Sequence, residues 1–131
     1  MKLIIGEKIP SRKRTNVFQI EANAMSGDGD HHELQRFHGD EASVVEKLKI
    51  LQAVFDLSWN ARTDSDEIDT AIESCAEELG LDLEECTEWY YDFIGRDITN
   101  DSCRAMLYAI DIFWFDEHGD KYKVSTDNIK A

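Results

Sequence analysis

Proline is nearly absent from this chain, cysteine is scarce, and basic residues are outnumbered two to one: 1 Pro, 3 Cys and 14 Lys plus Arg stand against 28 Asp plus Glu in 131 residues. Each shortage excludes something. With Pro10 the one proline breaker and no repeat, low-complexity or linker-like stretch, nothing divides the chain; residues 1–131 read as a single domain long enough to bury a core. Cys75, Cys86 and Cys103 are odd in number and lack CxxC spacing, so they read as reduced, buried thiols and not as bridges. No apolar run approaches the ~20 residues of a membrane-spanning helix. The opening MKLIIGEKIPSRKR holds too short an apolar stretch for a signal peptide. The expected compartment is the cytoplasm, with no membrane partner. Catalytic signatures are missing as well. The GDG at 27–29 has neither the Lys nor the helix-opening context of a phosphate loop. No local motif marks a cysteine as nucleophile, and carboxylates are too numerous to single out an acid–base pair. The expectation is a non-enzymatic protein without a cofactor.

What is present is a core written in two periods. A hydrophobic fraction of 42%, with three Trp, four Tyr and six Phe, argues against disorder. Residues 16–24, NVFQIEANA, alternate, with Phe18, Ile20, Ala22 and Ala24 on one face of a half-buried strand. SGDGD at 26–30 is a turn, and HHELQRFH is its return strand, with Leu34 and Phe37 on opposite faces. Leu3–Ile5 makes a further short strand. Three helices follow. The first starts after Asp40 and carries Val44, Leu48, Leu51 and Phe55 at helical spacing, widened by Val45, Val54 and Leu57, which makes it the most buried. The second starts at Asp64, with Glu67 as capping partner, and its stripe of Ile68, Ala71, Ile72, Cys75 and Leu79 stops at Gly80. The third repeats the pattern from Asp82 and Glu85 through Leu83, Cys86, Tyr90 and Phe93 to Gly95, although WYYDFI would also suit a strand. AMLYAIDIFWF is apolar on both faces apart from Asp111 and reads as a central strand covered on both sides or lining an interface. After a turn at 116–120, KYKVS places Tyr122 and Val124 inward. Strands at both ends with helices between predict an α+β fold: an antiparallel sheet of about four strands, in N-terminal and C-terminal hairpins, with about three central helices packed on one face.

Charge is distributed unevenly over this plan. Residues 1–14 carry +4, which leaves −18 on the rest of a chain whose net charge is −14; residues 64–101 hold fourteen acids against Arg96 alone. Along the second helix Asp66, Asp69, Glu73 and Glu77 step by three and four, so they share a face opposite the apolar stripe, flanked by Glu67 and Glu78. Those six carboxylates span thirteen residues. At a rise of ~1.5 Å per residue that is roughly one charge per 3 Å, close to the phosphate spacing of about 3.4 Å along one DNA strand. Glu84, Glu85, Glu88 and Asp92 extend the field onto the third helix. Like charges four residues apart cost a few tenths of a kcal/mol per pair, whereas a surface optimised for stability would mix signs. Trp89, Tyr90 and Tyr91 cannot all lie on one buried stripe, so an aromatic is expected at the surface as an anchor beside the acids. The expected partner-binding surface therefore comprises Asp66, Asp69, Glu73, Glu77, Glu78, Glu84, Glu85, Glu88, Trp89 and Tyr91.

A second polar concentration gathers Asp28, Asp30, His31, His32, His38 and Asp40. Zinc needs three or four converging donors, and neighbouring His31 and His32 point to opposite faces of a strand. Asp28-Gly29-Asp30 starts like a calcium loop but lacks the later ligands and the closing Glu. The plainer reading is a polar hairpin tip with no metal; a metal-binding protein or enzyme centred on 28–40 is the third-ranked alternative. In size, charge and strand–turn–strand–helix order the chain resembles the small acidic inhibitors that phages use against host nucleic-acid enzymes and defence systems, anti-CRISPR proteins included. The resemblance implies a DNA-mimic-like binding protein whose acidic helical face occupies the nucleic-acid-binding surface of a basic nucleic-acid-binding protein or nuclease, with no direct contact to nucleic acid. The alternative is an immunity protein or antitoxin that neutralises one cognate basic toxin, with Trp89 or Tyr91 as its anchor. The basic arm KIPSRKR is expected to pair with this chain's own acids or with an acidic patch on a partner. Oligomeric state and strand order do not follow from the sequence.

Overall fold

Segments of period two build a sheet, segments of period 3.6 build helices, and the two meet on one apolar face. The structure is a computed structural model and describes residues 3–4, 15–26, 32–62, 64–95 and 106–126. In chain order the elements are β1 (Leu3–Ile4), β2 (Phe18–Met25), β3 (His32–Gly39), α1 (Glu41–Phe55), α2 (Trp59–Arg62), α3 (Ser65–Leu79), α4 (Leu83–Ile94), β4 (Met106–Phe115) and β5 (Lys121–Thr126). The strands form one antiparallel sheet in the order β1-β5-β4-β2-β3. Hairpins β2–β3 and β4–β5 thus lie side by side, joined at the centre through β2 and β4. This is the expected α+β architecture, with four long strands, a two-residue edge strand and three long helices. The one-turn helix α2 was not foreseen, because a single turn is too short to show a helical period.

The face of β2 that carries Phe18, Ile20, Ala22 and Ala24 is fully buried. Across the β2–β4 ladder Phe18 faces Trp114, Ile20 faces Ile112 and Ala24 faces Leu107, so one continuous apolar floor receives the helices. The register shifts between Asn23 and Ala24, which leaves Tyr108 of β4 without an opposite residue, 44% exposed at a bulge. Helices cover only the Leu107–Ile112–Trp114 side of β4; Phe113 and Phe115 stand half-buried on the other side. The expected double covering of β4 is therefore single among the described residues. On the floor, α1 sets Val44, Leu48, Ile50, Leu51 and Val54, the largest buried set of any helix, while Phe55 and Leu57 are only half-buried.

Local chemistry begins all three long helices, and ends α3 and α4, where the sequence predicts; α1, expected to run on through Leu57, stops at Phe55 with Asp56 at its C-terminal cap. The Asp40, Asp64 and Asp82 carboxylates accept from the N–H groups of Ser43, Asp66 and Glu85 at 2.8, 2.9 and 3.0 Å, each satisfying an otherwise orphaned donor. Backbone bonding to the Ser43 turn holds the Asp40 carboxyl below the usual carboxylate range. Gly80 takes φ 69°, and Leu81 N–H then donates to the Ala76 carbonyl at 2.9 Å, which closes α3 and turns the chain into α4. WYYDFI is helical, as preferred. Pro10, the basic arm, the turn residues 27–30, His31, Arg96 and Cys103 lie outside the described residues. No helix among the described residues is long and apolar enough to cross a membrane.

Tyr90 sits at the bottom of α4, 1% exposed, and its hydroxyl has no hydrogen-bond partner among the described residues. Burial pushes its pKa far upward. A buried hydroxyl left unpaired costs about 1–3 kcal/mol. Tyr90→Phe is expected to raise unfolding stability by about 1 kcal/mol in a urea titration. A loss of similar size would reveal a partner for the hydroxyl.

Candidate protein-binding face

The apolar stripes of α3 and α4 decide which way their carboxylates point. Ile68, Ile72, Cys75 and Ala76 of α3, with Cys86, Tyr90, Phe93 and Ile94 of α4, are buried against α1 and the sheet. Asp66, Asp69, Glu73, Glu77, Glu78, Glu84, Glu85 and Glu88 are consequently all exposed. None of these eight makes an ion pair among the described residues, and neither helix contains a Lys or Arg. Asp66 and Glu67, and Glu84 and Glu85, occupy the first turns of their helices, where the backbone dipole favours negative charge. The remaining acids have no such local reason.

The two aromatics behave differently from the acids. Trp89 is half-buried: its ring stacks on Phe93 with centroids 4.9 Å apart, meets Phe37 of β3 edge-on at 5.7 Å and lies under the Lys47 ammonium at 5.2 Å. Tyr91, also half-buried, donates its hydroxyl to the Asp69 carboxylate at 2.9 Å and so ties α4 to α3. Of the expected surface, the structure therefore brings the acids together on two adjoining helices and fastens both aromatics into intramolecular contacts.

The other side of the sheet is the contrast that gives the acidic face meaning. There Glu21, only 9% exposed, receives Lys121 Nζ at 2.7 Å, Gln19 Nε2 at 2.9 Å and Arg36 Nε at 3.7 Å. Lys123 reaches Asp111 at 3.2 Å, and the Lys121 ammonium lies 4.2 Å from the centre of the Phe113 ring. Each of these two sheet carboxylates is matched by a cation. The Lys121–Glu21 pair joins residues 100 positions apart and the other contacts cross between strands, so the network escaped the sequence reading; its local signal was Gln19 and Glu21 on the polar face of an alternating strand.

The remaining candidates are dispersed or lie outside the described residues. Asp28, Asp30 and His31 are outside them, and His32, His38 and Asp40 join no group of three metal-ligating side chains among those described. His32 instead meets Tyr108 edge-on, with ring centroids 5.8 Å apart. Cys75 and Cys86 are free thiols, and burial raises the pKa of both, which leaves them protonated and poorly nucleophilic.

If the acidic ridge is a surface kept at a cost, neutralising part of it stabilises the fold. Glu73→Gln with Glu77→Gln removes the two contacts Asp69–Glu73 and Glu73–Glu77, each four residues apart. The double variant is expected to gain a few tenths of a kcal/mol at low salt, and less in about 0.5 M NaCl, by chemical denaturation. A marked loss would mean that these carboxylates serve the fold. No family model, curated protein or solved structure matches the chain, so the functional reading rests on this geometry.

Proposed function

We propose that the chain is a small, non-enzymatic acidic binding protein whose α3–α4 ridge occupies the nucleic-acid-binding surface of a basic nucleic-acid-binding protein or nuclease. The observation that carries this reading is the set of eight exposed carboxylates on two adjoining helices with no cation paired to them among the described residues, in a protein that pairs the carboxylates Glu21 and Asp111 on its opposite face. Mutual repulsion among the ridge acids is already present in the free protein. Lys and Arg side chains of a partner groove relieve it, and the same field speeds encounter. Carboxylates spaced like phosphates meet cations already placed for a nucleic-acid backbone, so binding is competitive with nucleic acid and needs no contact of this chain with nucleic acid itself. The setting is the cytoplasm, where Cys75 and Cys86 remain thiols. In this reading the function is of the DNA-mimic type found among phage anti-defence proteins.

The immunity-protein alternative draws on an aromatic anchor. Trp89 and Tyr91 are half-buried and engaged with Phe93, Phe37, Lys47 and Asp69, which favours charge over an aromatic anchor as the source of affinity. The two readings also differ in breadth: a phosphate-like ridge competes with DNA on a class of grooves, whereas an immunity protein fits one toxin.

The test is displacement of fluorescent duplex DNA from a panel of purified basic nucleases. The protein is expected to displace DNA from at least one, with apparent affinity falling tenfold or more between about 50 and 300 mM NaCl. Glu73→Lys, Glu77→Lys and Glu88→Lys together are expected to keep the melting temperature within a few degrees and abolish displacement. Salt-indifferent binding, or unchanged displacement by the triple variant, overturns the reading.

A further inference from the structure

We propose that two copies of this chain pair edge to edge through β3, antiparallel, forming one continuous sheet across a two-fold axis. Among the described residues β3 ends the strand order, so its outer row of backbone donors and acceptors faces away from the sheet. Proteins blunt such edges with short strands, lysines, prolines or bulges. The opposite edge follows that rule, since β1 is two residues long. β3 does not. It runs eight residues from His32 to Gly39 in unbroken register with β2, contains neither Lys nor Pro, and presents Leu34 40% exposed. Its one strong cation, Arg36, turns across the sheet toward Glu21, 3.7 Å away.

Charge selects a second copy as the occupant. In a protein of net charge −14, residues 32–38 hold one acid and one base and sum to zero with neutral histidines. The paired strands themselves oppose no net charge there, whereas a cationic partner is drawn to α3 and α4 instead. A two-fold axis normal to the sheet makes the contact isologous and closes it at two copies. It also requires opposed residues to share a face. Centring on Arg36 would set two guanidinium groups against each other, which is unfavourable. Centring on Gln35 avoids this: Leu34 then faces Arg36 of the second copy and Glu33 faces Phe37, with no like charges opposed. Both acidic ridges emerge on the same side of the joined sheet.

The proposal is independent of the functional reading above and responds to salt in the opposite sense, because the two copies repel each other through their net charge. Sedimentation equilibrium of the full chain is expected to show a reversible monomer–dimer equilibrium that tightens roughly tenfold from about 50 to 500 mM NaCl. Gln35→Cys places two thiols across the axis at a Cα separation of about 4.5–5.5 Å, within disulfide reach. This variant is expected to cross-link as a dimer on mild oxidation, while wild type and Ser74→Cys do not. Retention of the wild-type melting temperature by Gln35→Cys separates failure to pair from failure to fold. A monomer at all concentrations, a dimer that loosens with salt, or a dimer that Gln35→Cys does not cross-link overturns the proposal.

Discussion

Burial of the apolar seam beneath α3 and α4 is the interaction on which everything else depends. Two helices bearing ten acids and no base do not hold together by surface electrostatics; four of their contacts, Asp69–Glu73, Glu73–Glu77, Glu84–Glu88 and Glu88–Asp92, are like-charge pairs at the unfavourable spacing of four. Each costs a few tenths of a kcal/mol, whereas each fully buried Ile contributes about 1.5–3 kcal/mol. Ile68, Ile72 and Ile94 are all at 1% exposure or less. The apolar term wins by several-fold. It can therefore hold carboxylates at a density that the surface alone would not sustain.

Because the seam fixes which way the helices face, the charge of this protein is separated between two sides. The sheet side is a solved electrostatic problem, in which Glu21 and Asp111 are held by Lys121, Arg36 and Lys123. On the helical side the eight ridge acids pair with no cation among the described residues. That asymmetry matters more than the total of −14. A uniformly acidic surface would give solubility without direction, whereas a one-sided field orients an approaching cationic groove before contact. The Tyr91–Asp69 hydrogen bond adds rigidity, so the acids of the two helices present one fixed pattern instead of two that shift.

Most of the architecture was legible because it rests on local periods. Alternation in NVFQIEANA named the buried face of β2, and the Asp-rich helix starts and Gly80 marked the ends of the helices. The acidic face of α3 was legible for the same reason: spacing of three and four fixes a helix face without any tertiary information. What stayed hidden involves distant partners. The β2–β4 pairing at the sheet centre, the bulge at Tyr108, the Glu21 network and the seat of Trp89 between Phe93 and Phe37 all join segments tens of residues apart. The single covering of β4 among the described residues was missed because a strand apolar on both faces reads as doubly buried, while here Phe113 lies beside the Lys121 ammonium and Phe115 beside the His38 ring. Half-burial by lysine stems looks like core to a hydrophobicity pattern.

Dimension gives a physical connection between the acidic ridge and the open β3 edge. α3 has fifteen residues and is therefore ~22 Å long, shorter than the ~34 Å of one duplex turn. A single copy offers a cationic groove less than one turn's worth of matched charge. Since α4 packs against β3 through the Trp89–Phe37 contact, pairing across β3 sets the α4 helices of two copies next to the axis, with α3 beyond each of them. In the proposed pair the two ridges would share one side of the joined sheet, so a groove spanning both would meet the acids of four helices and not two. The strand that would join them sums to zero charge over residues 32–38, in a protein of net charge −14.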